Sequence, residues 1–300
     1  GIAPREKLLT EKEADMARPH ILFVQSQFLP WDEGVVGGAR NEVRVKTLSH
    51  DREDGSCSLI VHYPPGWGRR DAEALDATEE FFVLEGALEI NGRTYGQHAY
   101  ANLPAGYTRQ TAGAPRGASV LTFFDREPHL IKEAGAAVDT SRLVEYIDTL
   151  DMAWVGGAEG SVTGKPLSHD IETKKLRVDP ETAEQSFLYT AQPQHGPPGI
   201  MKGKFGHPMI EEIFTLAGTY VFADAGVMGP GGYCWWRENE FHGPAGSMTG
   251  YNLFIRVVGG PLRNVFSDEP FPFTFTPDHN PSLPDELKPY GQPYPYEAEF

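Results

Sequence analysis

His207 stands four residues before Glu211, and His242 lies 31 residues beyond that glutamate. Neutral imidazoles and a carboxylate are the donor types that hold divalent transition metals. Taken singly, each of these histidines reads as an ordinary core or surface residue, and only their placement relative to one another can raise them above that. His195, in Gln194-His195-Gly196-Pro197, could add a fourth donor, although a lone loop histidine reads first as a surface residue. The strings Ser49-His50-Asp51 and Ser168-His169-Asp170 contain the residue types of a hydrolase triad. Contiguous residues cannot converge as a triad requires, so both strings are expected to be turns. Gly157 and Gly259-Gly260 lack the strand-to-helix setting of a phosphate loop.

The elements that position these groups are expected to be short strands. The chain has 300 residues, 40% hydrophobic and 23% charged, which suits two domains of about 100–150 residues. Its 33 glycines and 25 prolines are scattered between short apolar runs, as in a protein of many tight turns. Val43 and Val45, then Leu59, Val61 and Tyr63, alternate as half-buried strands do. One helix is predicted, Ser141 to Leu150, with Ser141 as its N-cap and Glu145 in its first turns. The formal net charge of -16 repels phosphate backbones and anionic lipid, so neither nucleic acid nor membrane is expected as a partner. Two distant cysteines, Cys57 and Cys234, and the absence of a signal-like opening point to a reducing cytoplasm. Residues 1–18 read as an arm or a tag remnant. Residues 267–300 are rich in Pro, Phe and Tyr, and read as an extended tail laid over a barrel or a neighbouring subunit.

The chain also repeats itself. Glu79-Glu80-Phe81-Phe82-Val83-Leu84-Glu85-Gly86 matches Glu211-Glu212-Ile213-Phe214-Thr215-Leu216-Ala217-Gly218. Upstream, Lys46-Thr47-Leu48-Ser49-His50-Asp51 pairs with Lys165-Pro166-Leu167-Ser168-His169-Asp170, following Trp31 and Trp154. Downstream, Val120–Phe124 pairs with Leu253–Val258, and each run ends near a proline, Pro128 or Pro261. Matched landmarks in one order argue for an internal duplication, with a boundary near residue 140.

An acid, six residues, a glycine, a short hairpin and a Pro-x-Gly-x-x-His turn make up a pattern that resembles the cupin superfamily, in particular two-barrel cupins of the ChrR-like group. The resemblance covers residues 20–265 and implies an all-β fold of two tandem cupin-type double-stranded β-helix (jelly-roll) barrels, residues 19–140 and 141–266. In that family two histidines and a glutamate from one motif, with a histidine from the next, hold a divalent metal inside the barrel. In the first repeat Glu79 occupies the glutamate position, but Pro104-Ala105-Gly106-Tyr107-Thr108-Arg109 ends in arginine, and Glu73-Ala74-Leu75-Asp76-Ala77 supplies no histidine. Guanidinium stays protonated and is no ligand at neutral pH, so this barrel is expected to be metal-free, with a Glu79–Arg109 ion pair in the metal's place.

In the second repeat the resemblance makes His207, Glu211 and His242 the metal ligands. Arg109 and His242 each precede their proline by 19 residues, which supports the alignment. Phe205 stands at the family's first histidine, leaving three ligands, and Glu212 is expected to face the other way on its strand. Two imidazoles and one carboxylate are the donor set of non-haem Fe(II) oxygenases, and Zn, Mn or Ni fit similar sets. Tyr233, Trp235, Trp236 and Tyr251 are the candidate substrate-binding residues, with ordinary barrel packing as the competing reading.

The function this implies is a metal-dependent enzyme on a small organic molecule, foremost an Fe(II) dioxygenase cleaving an aromatic or diketone-like substrate. The alternatives are a Zn-, Mn- or Ni-dependent hydrolase, isomerase or lyase, and a non-catalytic sensing bicupin. An open sheet edge and an aromatic tail both want covering, so a dimer or other homo-oligomer is expected.

Overall fold

Apolar runs punctuated by glycine and proline fold here as strands. The computed structural model describes residues 17–131, 137–196 and 200–295. Among these the only helical turns are three short 3-10 segments, and no helix is long and apolar enough to cross a membrane. The chain is all-β and builds cupin-type jelly-roll barrels in two units. The N-terminal barrel spans Leu29–Met152, and the C-terminal barrel combines the stretch ending at Phe28 with the chain from Ala153 onward.

Each barrel is organised around a seven-stranded sheet; six strands follow the same order, and the seventh, an edge strand, comes from the end of the chain segment in one and from its start in the other. In the N-terminal barrel the sheet runs Val144–Asp148, Ala99–Leu103, Glu79–Gly86, Ala118–Phe124, Cys57–Tyr63, Arg44–His50 and Asp32–Glu33. In the C-terminal barrel it runs Ile21–Gln25, Gly232–Trp236, Ile210–Gly218, Tyr251–Val258, Gln185–Ala191, Ile171–Val178 and Val155–Gly156. Inward residues alternate along each strand: Phe81 and Val83 join one core, and Ile213, its partner Cys234 and Trp236 the other. Both cysteines are buried thiols.

The glycine that closes each repeated motif has a backbone reason. Gly86 (φ 72) and Gly218 (φ 70) are left-handed, and a Cβ would fall 2.2 Å from the Gly117 carbonyl oxygen or 2.1 Å from that of Gly250. Only glycine allows both the dihedral and the close approach.

The duplication is registered differently from the sequence reading at one landmark. Ser49 and His50 end their strand, whereas Ser168-His169-Asp170 precede theirs, so the two strings are not equivalent. The matched lysine of Lys46 is Lys174: Asp32 pairs with Val45 and Val155 with Thr173, which places both lysines one residue on. Lys46 Nζ lies 4.8 Å from the Trp31 ring and Lys174 Nζ 4.5 Å from the Trp154 ring. The tryptophans were true landmarks, and the histidine strings were coincidence. The second string forms the expected turn, with the Ile171 amide donating to the Ser168 carbonyl; in the first, Ser49 and His50 are strand and only Asp51 opens a turn, its Oδ1 accepting from the Glu53 and Asp54 amides.

The helix expected over Ser141 to Leu150 is a strand, Val144–Asp148, paired with Ala99–Leu103. Ser141 does not cap; its hydroxyl donates to Asp139 at 2.5 Å. Leu143 and Tyr146 instead pack on the N-terminal core, a gain an isolated ten-residue helix cannot match. The boundary therefore falls after Met152 rather than near 140. Residues 19–28 leave the first barrel because Ile21–Gln25 pairs with Gly232–Trp236. Residues 1–16 lie outside the described residues, as do 296–300. Within the expected tail, Val265–Pro272 pairs with Met201–Gly206 as a two-stranded ribbon, a place where proline is tolerated. Beyond it the chain lies on its own barrel, where the Leu22 amide donates to Ser282 and the Asn280 amide to Ala225.

Candidate metal centre and cavity

Strand alternation decides which acid of Glu211-Glu212 faces the barrel interior. Glu212 points outward, accepting from the Tyr233 hydroxyl at 2.7 Å and from Arg256 at 2.7 Å, with Arg18 at 3.7 Å. Glu211 points inward. His207 follows the Met201–Gly206 strand, four residues before Glu211. His242 reaches the same place by a two-bond antiparallel bridge: its amide donates to the Phe205 carbonyl at 2.9 Å, and Phe205 returns a bond of 3.1 Å.

The structure thus brings His207, Glu211 and His242 together, with one ligand atom from each lying within 4.8 Å of the others, all three buried. His207 Nε2 is 3.1 Å from Glu211 Oε2. Two ligands at about 2.0–2.2 Å around one ion, bonded at right angles, would stand about 3 Å apart. That contact is off the line of a hydrogen bond, and the Nε2 atoms of His207 and His242 are buried without a hydrogen-bond partner. Each ring is held from behind. His207 Nδ1 lies 3.1 Å from the Arg263 carbonyl and His242 Nδ1 3.3 Å from the Glu240 carbonyl. A carbonyl only accepts, so each Nδ1 carries a proton; the His242 ring presents its Nε2 lone pair inward, while His207 Nε2 faces the Glu211 carboxylate and offers its lone pair once the second proton leaves. Trp236 stacks on His242 at 3.6 Å between centroids, and Phe205 meets the same imidazole edge-on at 4.5 Å.

Electrostatics separate the two imidazoles. Burial resists a charge on His207, but the Glu211 carboxylate and the Arg263 carbonyl outweigh it and hold its pKa above the ordinary value. Burial, then repulsion from His207, holds His242 well below the ordinary range. A divalent cation fits this set by displacing the second proton of His207: two inward lone pairs and a buried carboxylate then face one point.

His207 and Glu211 also line a cavity of about 550 Å³, whose walls include Phe187, Ile213, Leu253 and Ile255. Of the four expected substrate residues, Tyr251 alone lines it. Trp236 is spent inside the core, stacked on His242, with its Nε1 donating to the Leu22 carbonyl at 3.2 Å. Tyr233 and Trp235 lie on the opposite sheet face, at Glu212 and under the Arg18 guanidinium. Period-two alternation from Trp236 would have excluded both. Tyr189 and Tyr220, which sequence reasoning missed, line the cavity instead. His195 is exposed and apart from the cluster.

The N-terminal barrel preserves the same scaffold without the donors. Glu73 and Arg109 form the equivalent two-bond bridge, at 2.9 and 2.8 Å, so Arg109 does stand where His242 stands. Arg109 is bonded to Glu79 as expected. A second cation that sequence reasoning missed, Arg40, reaches Glu79 at 2.9 Å and Glu73 at 3.1 Å. Nothing local in Gly37-Gly38-Ala39-Arg40 announces that role. Arg109→His is expected to leave this barrel without metal, because Leu75 occupies the position of His207 and Arg40 still claims Glu79. Elemental analysis showing a second ion per chain in that variant would overturn this expectation.

A family model described as a domain of unknown function, DUF4437, matches residues 31–262. No curated protein matches the chain. Among solved structures, a Nostoc punctiforme protein described as a "putative dioxygenase" shares 16% identity, with 85% of this chain and 92% of that chain covered and a TM-score of 0.70. Bacillus subtilis oxalate decarboxylase at pH 4.6 shares 12% identity over 81% of this chain and 78% of that one, with a TM-score of 0.48. The first likeness establishes the fold alone, and the second is too weak to add to it.

Proposed function

The chain belongs to the DUF4437 family, whose description assigns no activity, and from the site we propose that it is a metal-dependent cupin enzyme acting on a small organic molecule. The observation that carries this reading is one constellation: two buried imidazole Nε2 atoms outside hydrogen-bond geometry converge with a buried carboxylate at the wall of a 550 Å³ cavity. His207, Glu211 and His242 would be the ligands. Two histidines and one carboxylate with open positions favour Fe(II) and oxygen-dependent cleavage of an aromatic or diketone-like substrate. Bound Fe(II) would supply Lewis acidity and electron transfer to O2.

The chain's own residues do the rest. The Arg263 and Glu240 carbonyls orient the imidazoles, and the Trp236 stack fixes His242. The apolar walls exclude water around a bound organic molecule. In this two-barrel reading, shared with ChrR-like cupins, the N-terminal barrel serves as a structural partner whose site is filled by arginines.

The test is oxygen uptake by protein reconstituted with Fe(II), using acetylacetone and phenolic ketones as substrates. Uptake that is absent in His207→Ala and accompanied by carbon–carbon cleavage is the expected result. Turnover that proceeds equally without oxygen would replace this reading with hydrolysis or lyase chemistry on another divalent metal.

A further inference from the structure

The charged groups around the cavity carry information that the metal cluster does not use. Glu211, at the inner end, is the one acidic residue among the lining side chains, whereas Lys165 and Arg263 are both exposed cations on the lining. Neither cation has a carboxylate within ion-pair distance among the described residues, although the chain has 42 acidic residues against 26 basic ones. A protein of net charge -16 repels anions at a distance, and two exposed cations on this lining without carboxylate partners are the groups there that can attract one. Deeper in, Tyr189, Tyr220 and Tyr251 line the wall, and no hydrogen bond from their hydroxyls to the described residues is formed. Burial keeps these three phenols well above their ordinary pKa, so all remain O–H donors. Tyr189 and Tyr251 lie parallel at 6.2 Å, with Tyr220 edge-on to Tyr251 at 4.9 Å.

We propose that the cavity takes an organic acid: a carboxylate held at the mouth by Lys165 and Arg263, an apolar or aromatic body along the walls, and an acceptor oxygen directed inward to the tyrosines and the His207–Glu211 end. This rests on the cavity being the substrate site of the proposed enzyme, and it narrows that substrate to an anion. Arg263 contributes twice, its carbonyl to His207 and its guanidinium to the ligand, and only the second is removed by substitution.

The experiment compares acids with their own amides: 4-phenylbutyrate with 4-phenylbutyramide, and 3-benzoylpropionate with 3-benzoylpropionamide. Binding is measured by calorimetry at low ionic strength, on metal-loaded and on metal-stripped protein. Each acid is expected to bind about tenfold or more tighter than its amide, the scale of hydrogen bonds to a charged group. The preference should fall to about one in Lys165→Gln/Arg263→Gln, whose metal content and melting temperature stay those of the unaltered protein. Equal binding of acid and amide, a preference that survives the double substitution, or no binding of either acid would each overturn the proposal. The metal-stripped arm separates the two ideas: an acid preference there stands even if the metal reading fails, and intact metal binding stands even if the preference is absent.

Discussion

Alanine at His207 or at His242 is expected to reduce the metal recovered with the protein to about a tenth or less of its unaltered content. Loss of a group that merely orients a ligand typically costs 10–100-fold in metal affinity, and removing one of three donors costs at least as much. The two variants differ in what else they disturb. His207→Ala frees the Arg263 carbonyl at the cavity wall, a change water can absorb. His242→Ala opens a void between Trp236 and Phe205, so a lower melting temperature is expected alongside the metal loss. His195→Ala, at an exposed position, is the control that should keep its metal. Elemental analysis of protein purified without added metal makes the comparison, and full occupancy in His207→Ala would remove the proposed centre altogether.

The second large effect is on stability, in the barrel that lacks the site. Glu79→Gln leaves the buried guanidiniums of Arg40 and Arg109 without their shared counter-charge. Breaking a buried pair in this way costs about 3–5 kcal/mol. In a unit of this size that is roughly a 10–20 °C fall in melting temperature. Arg109→Met is expected to cost less, because Arg40 still lies 2.9 Å from Glu79. The pH dependence has a definite sign. Burial would raise the Glu79 pKa, but Arg40 and Arg109 outweigh it and lower it from the ordinary value. A carboxylate whose folded value is depressed stabilises above the unfolded value of about 4.3, and that stabilisation fades as the pH falls through the folded value. Acid melts should therefore show the gap between Glu79→Gln and the unaltered protein closing below about pH 4. A gap that stays constant to pH 2 would show that the carboxylate's charge is not what holds this cluster.

The sequence was most legible where one residue type is required by backbone geometry or by chemistry. Gly86 and Gly218 marked the repeats because no side chain fits beside the Gly117 and Gly250 carbonyls. Glu211 and Glu212 could be assigned to opposite faces by alternation alone. What eluded the sequence was contact made at long range. Arg40 meets Glu79 across 39 residues, and no local pattern encodes such a meeting. The segment around Val144 has weak helical caps and strong strand formers, and the free edge of Ala99–Leu103 settled the choice. The outward pair Tyr233–Glu212 has a twin in Tyr100–Glu80, with the Tyr100 hydroxyl 2.7 Å from Glu80. The twin marks Tyr233 as an outward partner of the second acid in each repeat, not as part of a ligand wall.

The pairing of Ile21–Gln25 with Gly232–Trp236 has a consequence for how the protein is made. Trp236, which braces His242, bonds to the Leu22 carbonyl across 214 residues. At translation rates of about 5–20 residues per second, the earliest strand waits roughly 10–40 s for its partner to leave the ribosome. The Leu29–Met152 barrel can close during that interval from contiguous chain, while the barrel with the histidines stays unfinished until the chain through Trp236 has emerged. Its first strand spends that time as an unsatisfied sheet edge, the kind of surface that chaperones shield and that neighbouring nascent chains can capture.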